Sequence, residues 1–260
     1  MNILLAFKAE PDLGMLSEVD WQAAARECRG PDAALMRVMM GSDEQGAAEL
    51  MLQAKERYPQ LGLSAVTIGD ERALPLLRHL AALGFERRTL ITARQDLRFD
   101  PAFVAQQIAF QAQEAQSGLV LLGSESSEGQ NGQTGWLLAE LLGWPCLSGV
   151  TEFTPGENGV MVQCEERSRR GRWQLDRPAV LIVRNRGQMA LRVPGMRARL
   201  AAAKAEVIQC HPHDVKTSSP CCTALVRTLF RRAGERIDGN SAADKACRLW
   251  QEYLGKRMMP

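Results

Sequence analysis

Short apolar runs alternate with longer helix-forming stretches through the first 145 residues. Four runs are too short for helices and are bounded by Gly, Pro or charged residues, so they predict buried strands; they span 3–7, 63–68, 88–92 and 119–122. Four stretches rich in helix formers separate or follow them, at 44–58, 71–83, 101–116 and 133–142. This alternation predicts a parallel sheet with crossover helices on both faces.

Local residues support several of these boundaries. Asp43 is placed to cap the helix at 44–58, because its carboxylate can accept hydrogen bonds from first-turn amides. Asp100-Pro101 begins the next but one helix, with proline at the favoured first position. After residue 145 the pattern changes, and the predicted elements are a hairpin at 160–164 and 172–175, a strand at 179–183, and helices at 196–205, 223–233 and 242–254.

Composition excludes several classes of function. With 260 residues, 45% of them hydrophobic, the chain can form one large domain or a domain plus a tail. The net charge of +2 gives no reason to expect nucleic acid. Residues 1–164 are acidic and residues 165–260 are basic, which suits either partner steering or a solvated basic surface. The longest apolar stretches are too short for membrane insertion or a signal peptide, so we expect a cytoplasmic protein.

Cysteine and histidine give little indication of catalysis. The seven cysteines are odd in number and irregularly spaced, which indicates reduced thiols. One group has the residue types of a zinc site but lacks paired C-x-x-C spacing, so we expect no metal; it comprises Cys210, His211, His213, Cys221 and Cys222. No serine lies in a G-x-S-x-G turn, and no catalytic residues are assigned.

The most informative segment is the strand at 119–122 with the loop that follows it, GSESSEGQNGQTG. In an open parallel sheet, ligands bind beyond the carboxyl ends of the strands, and a helix N-terminus favours phosphate. Hydroxyl donors are available from Ser124, Ser126, Ser127 and Thr134, whereas Glu125 and Glu128 would repel an anion. Neither G-x-G-x-x-G nor G-K-[ST] is present, so the residues alone fit an ordinary strand-to-helix loop equally well.

Several short motifs occur in the order typical of one protein family. GLVLLG at 118–123 and GQTG at 132–135 resemble a strand of the type D-L-V-L-L-G and a loop ending N-Q-T-G. Further similarities lie in ILLAFK at 3–8, Asp43-Glu44 with Ala47, VTIG at 66–69, the segment 78–91, LGWP at 142–145 and RPAVLIV at 177–183. Over roughly residues 1–208, the chain is identified as a divergent bacterial member of the electron-transfer flavoprotein beta subunit family.

The resemblance implies a specific fold and role. The fold would be three-layer, Rossmann-like α/β with a mostly parallel sheet of the adenine-nucleotide-binding type, covering residues 1–208, followed by a partly helical C-terminal arm at 209–260. The chain would be an electron carrier subunit rather than an enzyme. It would bind AMP, or a second FAD, and pair with an alpha subunit that holds most of the redox FAD. A flavin dehydrogenase would donate the electrons.

The resemblance also implies which residues contact the nucleotide. Carried over by position, they are Ala6, Met40, Val66, Ile68, Gly123, Glu128, Gly129, Gln130, Asn131, Gly132, Gln133 and Thr134. Gly132 and Met40 each stand where the family has asparagine, which removes polar contacts. The segment 200–204 lacks the family's basic A-K-K-K cluster, which predicts a different dehydrogenase partner. Two alternatives remain: a stand-alone adenine-nucleotide-binding enzyme, and a stress-protein-like nucleotide sensor of related fold.

Overall fold

In the computed structural model, a nine-stranded sheet is flanked by helices. The structure describes residues 1–27, 32, 36–93, 95–127, 129–156, 159–166, 169–176, 178–185, 189–215 and 234–258. The strands are β1 Asn2–Ala6, β2 Ala9–Pro11, β3 Val38–Met40, β4 Gly62–Gly69, β5 Arg87–Thr92, β6 Ser117–Gly123, β7 Cys146–Gly156, β8 Gly159–Glu166, β9 Arg169–Leu175, β10 Ala179–Val183 and β11 Ile208–Cys210. The helices are α1 Glu18–Glu27, α2 Ser42–Arg57, α3 Leu74–Ala82, α4 Pro101–Glu114, α5 Thr134–Leu142, α6 Met196–Ala202, α7 Ala242–Leu249 and α8 Gly255–Met258, with a π-helical turn Trp250–Leu254 between the last two.

The order of strands in the sheet is β11-β5-β4-β1-β6-β10-β7-β8-β9. Neighbours from β11 to β7 pair in parallel, whereas β8 and β9 extend the sheet as an antiparallel hairpin. β2 and β3 form a separate antiparallel pair. The predicted α/β fold with a mostly parallel sheet and the predicted hairpin are therefore confirmed.

Each face of the sheet has its own hydrophobic core. Along β1, Ile3 and Leu5 face one core with α2 and α3, while Leu4 and Ala6 face the other with α4 and α5. Successive side chains of a strand point to opposite faces, so a strand covered on both sides is apolar throughout. This burial explains why the run at 119–122 predicts a strand so clearly.

The structure corrects the expected role of Asp43. Gly41 occupies the N-cap of α2, and Asp43 lies inside the first turn. Its carboxylate instead accepts hydrogen bonds from the backbone N–H groups of Ser124 and Asn185, at 3.2 and 2.8 Å. Asp43 therefore ties the N-terminus of α2 to the ends of β6 and β10 rather than capping its own helix.

Some elements differ from the sequence-based expectation. β7 was not predicted, and neither were β2, β3, β11 and α1. Gly149 in β7 has a φ of +65°, beside an irregularity in its pairing with β10, which is typical of a β-bulge. The predicted helix at 196–205 ends at Ala202. The predicted helix at 223–233 lies outside the described residues.

The C-terminal region begins at the edge of the sheet. β11 pairs with β5, so the edge strand spans the expected boundary between residues 208 and 209. Gln107 of α4 is fully buried, and its side-chain amide both donates to and accepts from the backbone of His213. Beyond this anchor, Ala242–Leu249 and the turns after it are largely exposed. No helix in the described part of the chain is long and apolar enough to cross a membrane.

Candidate functional site

A pocket opens at the carboxyl ends of β1, β4 and β6, which are neighbours in the sheet. Its volume is about 890 Å³ including the open mouth. The loop before α4, the loop after β6 and the N-termini of α2 and α5 form its walls. Ligands of open parallel sheets bind at this edge, so the topology alone makes this pocket the first candidate for a binding site.

The floor of the pocket is apolar. Residues of the core between the sheet and α4 and α5 form it, from the strands and from α4; they are Ala6, Val66, Ile68, Leu122, Ile182, Val104 and Ile108. Apolar floors of this kind accept flat rings, because burying the ring removes apolar surface from water. The geometry therefore offers a slot for a planar aromatic group.

Two acidic side chains hold the loop after β6 in place. Asp43 accepts hydrogen bonds from both the N–H and the hydroxyl of Ser124, the latter at 2.5 Å. Glu10 of β2 accepts from the N–H and the hydroxyl of Ser127. The hydroxyls of Ser124 and Ser127 are thus engaged in fixing the loop, contrary to the expectation that they donate to a ligand.

The other end of the loop meets the N-terminus of α5. Gln133 is the N-cap residue, and its N–H donates to the Asn131 side chain at 3.3 Å. The amides at the start of a helix have no acceptor within the helix, and the helix dipole makes this end partially positive. Thr134 lies at the first helical position and lines the pocket. The arrangement suits a phosphate or another small anion.

Gly132 shows why glycine and asparagine can replace each other in this loop. Its φ is +60°, in the left-handed region, which Gly adopts without strain, Asn and Asp adopt occasionally, and other residues adopt rarely. A Cβ there would have only ordinary contacts, the nearest at 3.5 Å. The backbone conformation, rather than the space available, therefore restricts the residue at this position.

Two cationic side chains lie on the pocket wall. Lys8 follows β1, and Arg98 lies in the loop before α4. Arg98 is paired with Asp96 at 2.6 Å, and hydrogen bonding to Arg98 holds the pKa of Asp96 below its usual value. Together with the α5 N-terminus, these cations offset the negative charge of the acidic residues around the loop.

Two buried polar atoms of the lining have no hydrogen-bond partner among the described residues. They are Oε2 of Glu44 and Oγ1 of Thr67, whose residues are 5% and 1% exposed. Burial, followed by the nearby charges of Glu10 and Asp43, raises the pKa of Glu44 to about 7. A buried polar group without a partner costs about 1–3 kcal/mol, so both atoms favour a hydrogen-bonding occupant, either water or a polar ligand.

The pocket brings together seven of the twelve residues implied by the family resemblance. These are Ala6, Val66, Ile68, Gly123, Asn131, Gly132 and Thr134. Gly129, Gln130 and Gln133 belong to the same loop without lining the pocket, and Glu128 lies outside the described residues. Met40 is buried in β3 and faces a separate groove beside α3 and α6. The contacts of all twelve with a nucleotide stay predictions.

Sequence reasoning missed several residues of the lining. Phe7 and Lys8 follow β1, and Thr67 lies near the end of β4. Their position at the carboxyl edge of the sheet could therefore have indicated them. Leu97 and Arg98 lie in the loop before α4, and no motif marks them; Pro101 was predicted only as the start of a helix. Glu44 was noted only as part of the Asp43-Glu44 motif. Among the described residues, no three His, Cys, Asp or Glu side chains are grouped to hold a metal; Cys221 and Cys222 lie outside them.

Comparison with known proteins gives consistent results. The model of the electron transfer flavoprotein domain family matches residues 45–215. The Escherichia coli (strain K12) protein YgcR, provisionally named as an electron transfer flavoprotein subunit, is 48% identical over the full length of both chains. Electron transfer flavoprotein beta subunits of Bradyrhizobium diazoefficiens and Bacillus subtilis are each 32% identical, over 44% and 42% of this chain and 45% and 43% of their own.

Proposed function

The chain belongs to the electron transfer flavoprotein family, and we propose that it is the beta subunit of a heterodimer that relays electrons. Its similarity to beta subunits from several organisms supports this assignment. The partner would be an alpha subunit that holds most of the redox FAD, and a flavin dehydrogenase would donate electrons in the cytoplasm. When bound, that flavin supplies the electron-transfer chemistry.

We infer that the pocket at the carboxyl edge of the sheet binds AMP. The observation that supports this inference is that one cavity combines three features. An apolar slot suits adenine, and the start of α5 at Thr134 suits the phosphate. Between them, Glu44 and Thr67 present buried polar atoms that need partners. A second FAD in place of AMP shares the adenine and phosphate groups, so binding assays with both ligands distinguish the two occupants.

This chain contributes binding and orientation to the proposed electron relay. The described lining of the pocket contains neither histidine nor cysteine. Of the thiols, burial raises the pKa of Cys146 to about 12 and also raises that of Cys164, so both stay protonated at neutral pH. These features favour a carrier subunit over the stand-alone enzyme.

The exposed C-terminal helices supply a surface for the alpha subunit. Leu249, Trp250, Leu254 and Met258 are 40%, 54%, 39% and 68% exposed. Residues three or four apart share one side of a helix, so Trp250, Leu254 and Met258 form an apolar stripe, and Leu249 lies next to its start. Such a stripe is stabilised by packing against another surface. We propose that the alpha subunit provides it.

The nucleotide proposal is tested by placing a negative charge at the proposed phosphate end. Thr134→Glu adds a carboxylate at the first position of α5, within the pocket lining. Two like charges about 4 Å apart repel by about 1 kcal/mol in water and about 4 kcal/mol near a protein surface. We therefore expect AMP affinity to fall at least about 5-fold in equilibrium dialysis at low salt.

A matched variant controls for the change in net charge. Gln113→Glu makes a similar charge change at an exposed position of α4, away from the pocket, and should leave AMP affinity unchanged. Both variants are first checked for the wild-type melting temperature. Equal AMP affinity in wild type and Thr134→Glu would show that the start of α5 does not hold the phosphate. Stoichiometric FAD retained by the purified chain would assign the pocket to a second flavin.

A further inference from the structure

The carboxyl groups of Glu10, Asp43 and Glu44 lie behind the loop after β6, and they differ in the hydrogen bonds that they accept. Glu10 accepts hydrogen bonds from both donors of Ser127. Asp43 accepts from Ser124 and Asn185. Glu44 is as buried as Glu10, yet its Oε2 has no donor among the described residues.

This difference makes the charged form of Glu44 costly. A buried carboxylate is stable when donors satisfy its oxygens, and two neighbouring carboxylates disfavour ionisation of a third. The donors of the loop after β6 go to Asp43 and Glu10, and Glu44 receives only its own backbone N–H. Burial with so few donors favours the protonated form of Glu44.

Glu44 also faces the pocket rather than the core. It lines the cavity from the first turn of α2, and a Cβ on Gly123 across from it would lie 2.9 Å from its Oε1. Because Gly123 has no side chain, the carboxyl group of Glu44 can pack against the end of β6. Thr67, whose hydroxyl also lacks a partner, lines the same cavity from β4.

We propose that Glu44 is a ligand-contacting residue that binds the nucleotide as a neutral acid, donating its carboxyl O–H to an acceptor atom of the ligand, so that occupancy of the pocket is coupled to proton uptake. This inference rests on the proposed nucleotide function of the pocket. Nucleotides present acceptors of this kind in the ring nitrogens of adenine and the oxygens of ribose. An ionised Glu44 would offer no donor and would repel the phosphate.

The charged groups around Glu44 set the pH range of the effect. Burial raises the pKa of Glu44 most, and its own backbone N–H, donating to the carboxylate, lowers it; Glu10 on β2 and Asp43 on α2 raise it further, and Lys8 after β1 lowers it, giving a pKa of about 7. Glu125 and Arg98 are the other charged residues on the described wall. Because the raised pKa keeps Glu44 neutral only below about pH 7, affinity should be highest there and fall as pH rises.

The size of the effect follows from the fraction of neutral Glu44. With a pKa of about 7, about 90% of the chains are neutral at pH 6 and about 3% at pH 8.5. If only the neutral form binds, the apparent affinity is the intrinsic affinity multiplied by that fraction. Affinity should therefore fall about 30-fold between these two pH values.

The test measures adenosine and AMP affinity for the full-length chain from pH 6 to 8.5 by calorimetry. Adenosine has no phosphate, whose own ionisation near pH 6 would otherwise contribute to the pH profile. Glu44→Gln retains a donor and an acceptor of similar size but does not ionise, so it should bind adenosine with a nearly flat profile. Glu140→Gln removes an exposed carboxylate on α5 and should keep the wild-type profile.

A second measurement needs no variant. Calorimetry at pH 8 in two buffers of different ionisation enthalpy should show uptake of about 0.9 proton per adenosine bound to wild type, since about 90% of Glu44 is then ionised in the empty pocket. Identical pH profiles for wild type and Glu44→Gln, no proton uptake, or affinity that rises with pH would each overturn the inference and leave the nucleotide site intact. Failure of wild type to bind AMP or adenosine at any pH would remove the proposed function itself.

Discussion

Gly123→Ala tests whether the contact between the end of β6 and the first turn of α2 shapes the pocket. A Cβ at this position would lie 2.7 Å from the carboxyl carbon of Glu44 and 3.0 Å from Cβ of Asp43. Hydrogen bonds hold Asp43 in place, so the helix end cannot simply move away. Overpacking costs about 1–3 kcal/mol, and reduced freedom of the unfolded chain offsets about 0.4–1 kcal/mol of it. We expect a net loss of about 1–2 kcal/mol.

Urea unfolding followed by circular dichroism measures this loss. The matched control is Gly69→Ala, because Gly69 also ends a parallel strand at the same edge but would place its Cβ with nothing within 4 Å. The control should be neutral or slightly stabilised. In a Glu44→Ala background the cost of Gly123→Ala should shrink, because the closest clash is gone. Equal unfolding free energies for wild type and Gly123→Ala would refute the argument.

Two further predictions concern the segment after β10 and the C-terminal arm. Arg192→Leu removes the ion pair with Glu49, 2.7 Å long, and the ion pair with exposed Glu56, and should cost about 1–2 kcal/mol at pH 7, a value reduced because Arg192 is partly exposed. Burial works to raise the pKa of Glu49, but hydrogen bonds from Arg192 and Gln53 hold it below its usual value. The stability gap between wild type and variant, measured by urea unfolding, should therefore be full above the unfolded-state pKa of about 4.3 and disappear as pH falls through the lower folded-state pKa. Deleting residues 215–260 should leave the melting temperature of the α/β domain nearly unchanged but weaken capture of the co-expressed alpha subunit; undiminished capture would exclude the arm as the docking surface.

Apart from the hairpin β8–β9, which is largely exposed along β9, the strands that could be predicted are those buried on both faces. Residues 119–122 are apolar without interruption because helices cover both sides of β6. β7 has no such run, since Gly149 and Pro155 interrupt it and its pairing partners differ on its two edges, parallel on one and antiparallel on the other. Its place in the sheet depends on β8 and β10, so local sequence gives little indication of it.

The edge of the sheet that carries the pocket could also be predicted, because parallel topology fixes which ends of the strands meet. The chemistry within the pocket could not. Thr67 in VTIG has the pattern of an ordinary β-branched strand residue, and Glu44 has that of an acidic residue favoured at a helix N-terminus. Only the docking of α2 against a loop about eighty positions later removes water from Glu44 and directs the available donors to its neighbours. Resemblance to a family can indicate which ligand a site holds, but the protonation state of a buried carboxyl group depends on contacts distant in the sequence. For this reason the dependence of binding on pH, rather than binding alone, tests the proposed protonation of Glu44.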